Sequence, residues 1–170
     1  ALGIPKIFGQ HSRDKFTFHD VKLGPKVKNA YHALAIDEMR KPFAPTLWEV
    51  QNYPDQTVEQ VWFAGVHTNI GGGYDNDGLA NCAFQWMLEK AELSGLEVDK
   101  NLTKHYRSFH KDEIRDSMTF AYRLLGKYHR PIGKQPNGNE SVHETAIKRL
   151  KTTNPPKPEY GGPYNPPNLI

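Results

Sequence analysis

Apolar positions along the 170-residue chain change period several times, and each change marks an element. From Lys26 to Arg40 the residues Val27, Ala30, Tyr31 and Leu34 recur at helical spacing. Ala35, Ile36 and Met39 widen that face and Pro42 follows as a stop, which predicts a helix. Pro42, Pro45 and Pro54 keep the next stretch extended. The apolar run from Val58 to Val66, with bulky Trp62 and Phe63, then predicts one buried central strand. Leu79, Ala83, Trp86, Met87 and Ala91 form a helical stripe over 79–93, and Gly95 sits where a left-handed cap would fall. Ile114, Met118, Ala121, Tyr122 and Leu125 repeat that pattern over 112–125 ahead of Gly126 and predict a third helix. Ser141 and Glu144 have capping-box spacing before Ala146, Ile147 and Leu150, which predicts a short fourth helix.

The ends carry no such period. Residues 1–25 are punctuated by Gly3, Pro5, Gly9, Gly24 and Pro25 and read as a long connection. The stretch from Asn154 to Asn168 holds six of the thirteen prolines, so it is expected to be extended, on the body or loose. This divides the chain into a partial domain at 1–153 and a proline-rich tail at 154–170. Four helices and a single strand form no independent sheet, because a strand must pair to satisfy its backbone groups. The expectation is an α/β chain, mostly helical with at least one central strand, whose sheet is incomplete without sequence upstream.

Composition narrows the function classes. A chain of this length suits one domain burying roughly 70% of its unfolded surface. The net charge of +3 comes from 22 basic residues interleaved with 19 acidic ones, so no basic block points to a nucleic-acid partner. No stretch approaches the length of a membrane span, and 1–9 lacks the pattern of a signal peptide. The one cysteine, Cys82, excludes an intramolecular disulfide and leans slightly towards a reducing, cytoplasmic setting, although the place of action is not legible.

Candidate chemistry centres on His67-Thr68-Asn69-Ile70-Gly71-Gly72-Gly73-Tyr74, which follows the apolar strand. Catalytic groups in open α/β sheets collect where strands end, so His67 is the candidate general base, against the plainer reading of a loop histidine bonded to backbone. Gly71, Gly72 and Gly73 read as a permissive turn, since no Lys-Ser or Lys-Thr follows to make a phosphate loop. His143 is the alternative base, with helix capping as its plainer role. Asp37 and Glu38, placed on the predicted helix with His32, are neighbours in sequence and share no face, so they do not read as paired carboxylates; a structural role suits Asp37. Cys82, on an apolar helix, reads as inert. None of Ser12, Ser94, Ser108, Ser117 or Ser141 sits in Gly-x-Ser-x-Gly. Asp75-Asn76-Asp77-Gly78 lacks the glycine and glutamate positions of a calcium loop, and His105 and His110 lack a metalloprotease motif, so neither metal nor cofactor is expected.

Several segments together resemble one family: Ala1-Leu2-Gly3-Ile4-Pro5; Tyr31-His32-Ala33-Leu34-Ala35-Ile36-Asp37-Glu38 with Arg40; Phe43-Ala44-Pro45-Thr46-Leu47-Trp48-Glu49; Gln60-Val61-Trp62-Phe63-Ala64-Gly65-Val66-His67 with Gly71-Gly72-Gly73-Tyr74; Trp86-Met87; and Ser141-Val142-His143-Glu144. Their order is similar to that in the α/β-hydrolase family typified by the first class of type VI secretion lipase effectors. The resemblance covers most of 1–99, weakens, and returns near the carboxyl end. It implies the carboxyl-terminal portion of a Ser-Asp-His hydrolase acting on phospholipid or related acyl esters, with His67 matching the family's histidine. The nucleophilic serine and the acid then belong upstream of residue 1, on the same protein or a companion chain. Without them the expectation is a non-catalytic remnant that binds a partner through a bare sheet edge. Asn69 stands where the family often has Asp.

Overall fold

The computed structural model describes residues 21–49, 53–135, 139–152 and 163–169. Its centre is a three-stranded parallel sheet of β1 (Asn29–Ala35), β2 (Thr57–Phe63) and β3 (Glu140–Val142), in the spatial order β1-β2-β3. A 3-10 turn at Lys41–Phe43 follows β1. Five α-helices complete the order: α1 (His67–Gly71) and α2 (Gly78–Leu93), then α3 (Lys100–Thr103) and α4 (Phe120–Leu124), and α5 (Glu144–Leu150) after β3. Among the described residues no helix is long and apolar enough to cross a membrane.

The expected helix over 26–40 is a strand. Asn29–Ala35 pairs in parallel with Thr57–Phe63, Ala33 opposite Val61 and Leu34 opposite Trp62. Both faces of this sheet are covered, so a buried strand carries apolar residues on successive positions and imitates a helical stripe. The core shows the true period of two. Tyr31, Ala33, Val61 and Phe63 pack with Cys82, Ala83 and Trp86 of α2. Leu34, Ile36, Trp62 and Ala64 pack with Ala146 of α5 and Tyr164. Among the described residues the sheet therefore has three strands, where at least one was expected. Its third, β3, is three residues long, too short to reveal a period, and contains Ser141 opposite Val61.

That pairing also moves the cap of the following helix. Ser141 does not cap it; His143 does, its Nδ1 accepting from the Thr145 N–H at 3.3 Å. The expected helix over 112–125 shrinks to α4. Asp112 and Asp116 draw the N–H groups of Glu113 and Met118 onto their carboxylates at 2.8 and 2.7 Å, local bonds that compete with a helix, while Ile114 and Met118 are still buried.

The helix α2 forms as its stripe predicts, and Gly95 (φ 99°) closes it, with the Leu96 N–H reaching the Ala91 carbonyl at 2.9 Å. The expected connection over 1–25 lies almost wholly outside the described residues. Of the tail, 163–169 lies on the body. Tyr164 is buried beside Ile36, and Asn168 Nδ2 donates to the Ile36 carbonyl at 3.0 Å.

Candidate active site

Parallel pairing brings the carboxyl ends of β1 and β2 side by side, with Ala35 opposite Phe63. The chain leaving β1 carries Asp37 and Glu38; the chain leaving β2 carries Gly65, Val66 and His67. Backbone bonds tie the two exits together, from Ile36 N–H to the Phe63 carbonyl at 2.9 Å and from Asp37 N–H to the Gly65 carbonyl at 3.1 Å. Asp37 Oδ2 accepts from the Gly65 N–H at 2.6 Å and from the Tyr164 hydroxyl at 2.9 Å. It pins the turn before His67, the structural role its position allowed.

Glu38 faces the other way, onto the imidazole. Its Oε2 lies 2.6 Å from His67 Nδ1, and its side chain is fully buried while that of His67 is 43% exposed. Arg40 grips the same carboxylate, Nε on Oε1 and Nη2 on Oε2, each at 2.9 Å. The Arg40 N–H and the Ser117 hydroxyl add bonds to Oε1 at 3.0 and 3.2 Å. Burial pushes the Glu38 carboxyl upward, but the bonds from Arg40 and His67 outweigh it and bring the group down to about 2. Glu38 is thus an ionised acceptor. Arg40 Nη2 also lies 2.9 Å from Nδ1, yet one ring nitrogen cannot accept from Arg40 and donate to Glu38 together. The shorter contact to a buried anion assigns the proton to Nδ1 and leaves Nε2 with its lone pair. Nε2 faces the Thr68 hydroxyl at 3.2 Å.

The ring is held sideways as well. Phe43 lies along it, centroids 4.8 Å apart at 30°. The Arg40 guanidinium sits 4.0 Å from the Phe43 centroid and 5.1 Å from that of Tyr122. Below, Gly65 (φ 121°) lets the chain turn against Asn69, whose Cβ lies 2.5 Å from where a Gly65 Cβ would stand. Asn69 accepts from the Val66 N–H at 3.2 Å and donates to the Glu113 carbonyl at 3.3 Å. An aspartate could keep the first bond but not the second. Gly72 (φ 86°) ends the one-turn helix α1, so the glycine run acts as a turn. A cavity of about 880 Å³ opens beside His67, walled by Tyr31, Ala33, Ile70, Phe84 and Met87.

A family model for the type VI secretion system phospholipase effector Tle1-like catalytic domain matches residues 1–90, more than half of the chain and all of the segment from β1 to the start of α2. The chain belongs to the Tle1-like phospholipase effector family. No curated protein and no solved structure matches it.

Of the other candidates in this Tle1-like chain, Ser117 reaches the His67–Glu38 pair, while His143, Cys82, Ser94 and Ser141 bond elsewhere. His143 stacks on Phe63 at 4.4 Å and bonds to Thr145, and burial lowers its pKa, which suits a neutral cap. Cys82 is buried, donates to the Gly78 carbonyl at 3.3 Å, and has its thiol pKa raised by burial. Ser94 bonds back to the Lys90 carbonyl, Ser117 to Glu38, and Ser141 lies in β3. Ser12 lies outside the described residues. No group of three His, Cys, Asp or Glu residues able to hold a metal ion gathers among the described residues. Sequence reasoning missed Glu38 as the partner of His67, and Arg40 and Ser117 as donors to the Glu38 carboxylate. The signal for Glu38 was its place just past a strand, hidden while 26–40 read as a helix.

Proposed function

We propose that this chain is part of a serine hydrolase that cleaves carboxylic acyl esters of phospholipids or related lipids, with His67 as general base. The observation that carries the reading is the His67 Nδ1–Glu38 Oε2 contact of 2.6 Å at the ends of two adjacent parallel strands, within the segment matched to the phospholipase effector family. A carboxylate on Nδ1 fixes the ring and its tautomer and stabilises the imidazolium, which is what a general base in acyl transfer needs. The nucleophilic serine comes from an α/β-hydrolase segment preceding residue 1, on the same protein or a companion chain. In this reading 1–153 is a partial hydrolase domain and 154–170 its tail.

The chemistry then runs in two steps. The serine Oγ attacks the acyl carbon while His67 Nε2 takes its proton, and Nε2 returns that proton to the departing alcohol oxygen. Water, deprotonated by the same Nε2, then attacks the acyl carbon, and Nε2 passes that proton to the serine Oγ as the acid leaves. Glu38 takes the place at Nδ1 that the family resemblance gives to an upstream acid, and Arg40 keeps it ionised. The apolar cavity beside His67 suits an acyl chain.

The test is ester hydrolysis by the full-length protein bearing His67→Ala. A loss of about a thousandfold or more is expected; turnover at the wild-type rate would refute the role of His67. One observation favours a second reading, a non-catalytic chain that binds a partner: the outer edge of β1 takes no strand among the described residues. If hydrolysis is absent even when the upstream segment is present, and a partner protects the β1 amides from exchange, that reading replaces the first.

A further inference from the structure

The bonds on the Glu38 carboxylate are divided unevenly between its two oxygens. Oε1 accepts from Arg40 Nε at 2.9 Å, from the Arg40 N–H at 3.0 Å and from the Ser117 hydroxyl at 3.2 Å. Oε2 accepts from Arg40 Nη2 at 2.9 Å and meets His67 Nδ1 at 2.6 Å. The fork of Nε and Nη2 sets the plane of the carboxylate, and the further bonds on Oε1 leave Oε2 for the ring. Arg40 is itself held in place, its guanidinium 4.0 Å from the Phe43 centroid and 5.1 Å from that of Tyr122, and its side chain only 12% exposed.

The surrounding charges make this guanidinium decisive. Asp37 is turned to the Gly65 N–H and the Tyr164 hydroxyl. Arg130, buried nearby, donates to the Ala35 and Phe43 carbonyls at 2.7 and 2.6 Å. Arg123 of α4 pairs with Asp116, and Arg115 lies over the Tyr74 ring at 4.8 Å. Among the described residues, Arg40 is therefore the one permanent cation paired with Glu38. Its Nη2 also lies 2.9 Å from Nδ1, so the charge that neutralises Glu38 confronts the ring as well. A buried carboxylate deprived of that cation draws in one more proton. Placed on Glu38, this proton is donated to Nδ1 and the ring carries its own on Nε2. Placed on the ring, it occupies Nε2 directly. Both routes remove the lone pair that a general base needs.

We propose that Arg40 is a positioning residue for His67: by gripping and neutralising Glu38 it keeps a single ring proton on Nδ1 and the lone pair on Nε2. The catalytic part of this inference rests on the reading of His67 as general base.

The experiment is nitrogen NMR of the histidine rings in the full-length protein at neutral pH, with His67→Ala identifying the signal, beside kcat and KM on a soluble short-chain ester. The wild type is expected to carry its ring proton on Nδ1. Arg40→Met is expected to carry a proton on Nε2, to lower kcat by about a hundredfold or more with KM little changed, and to move the pH profile of kcat to higher pH. Arg40→Lys keeps the charge without the fork and should recover part of each effect. Melting curves show which variants fold, and if Arg40→Met does not, Arg40→Lys carries the test with a mixture of ring forms expected. A wild type protonated on Nε2 overturns the proposal. So does a folded Arg40→Met, or in its place Arg40→Lys, with the wild-type ring form, and so does a changed ring form with wild-type kcat. The ring form is read without turnover, so failure of the hydrolase reading would show separately, as ester hydrolysis insensitive to His67→Ala.

Discussion

Glu38 is where sequence neighbours and spatial neighbours diverge most. Beside Asp37 it looks like half of an unproductive pair, yet the two carboxylates separate, Asp37 holding the Gly65 turn and Glu38 the His67 ring. A buried carboxylate brought down to about 2 makes a pH-dependent contribution of known sign. Its native pKa lies below the ordinary carboxylate value, so the stabilisation is present in full above that value, and is lost as pH falls from about 4.5 through about 2. The size is on the order of 3 kcal/mol. Urea unfolding over that range should show a steep loss in the wild type and a shallower one in Glu38→Gln; parallel curves would contradict the ionised, shared carboxylate. In the proposed hydrolase Glu38 is a positioning residue, so Glu38→Gln should lower kcat more than it changes KM and alter the pH profile, with partial rescue by Glu38→Asp. An unchanged pH profile would return the orienting role to an upstream acid.

At the scale of elements, the turn between β2 and α1 is the tightest requirement. A methyl group at Gly65 would meet the Asn69 Cβ at 2.5 Å, on a backbone whose φ of 121° L-residues rarely adopt. Gly65→Ala is expected to destabilise the fold by about 3 kcal/mol in thermal or chemical unfolding. Gly71→Ala is the matched control, since its Cβ would stand in open space, and should change stability by less than about 1 kcal/mol. Equal effects would mean that the Gly65 approach is not a constraint. The elements also differ in how far local pattern reveals them. The helix α2 is buried all round over 78–83, yet Leu79, Ala83, Trp86 and Met87 keep helical spacing through its exposed second half, so local pattern identifies it. The residues of β1 are apolar on both faces, and their spacing suits either state until β2 supplies a hydrogen-bonding partner.

For the molecule as a whole, the segment at 163–169 connects distant parts. The Tyr164 hydroxyl reaches Asp37 across 127 positions of sequence, its ring receives the Arg149 guanidinium at 5.2 Å, and Asn168 joins Ile36 to Arg130 through their carbonyls. Tyr164→Phe keeps the ring but removes a hydroxyl bonded to a buried carboxylate, so it should cost about 1–3 kcal/mol in unfolding experiments. In the proposed hydrolase, Tyr164→Phe should also weaken turnover by loosening the Gly65 turn. A variant as stable and active as the wild type would show that this strap is dispensable. On the same scale, β1 at the edge of the described sheet and α4 on the surface present two different faces. The first offers main-chain groups suited to a further strand, and the second offers exposed apolar side chains.

By itself the sequence determined the strand leading to His67, the stripe of α2 and its glycine stop, and the ordered motifs that place the chain in its family. Each of these depends on residues close together in the chain or on their linear order. Only the folded structure showed that 29–35 is a strand, that Asp112 and Asp116 hold the following stretch out of a helix, and that Glu38 belongs to His67. Those outcomes depend on which backbone groups and side chains meet across 28 or more positions in the two β1–β2 cases, and on local hydrogen bonds competing with a helix in the third. Spacing along the chain carries no record of such meetings, because a pairing partner and a rotamer are chosen only when the sheet assembles.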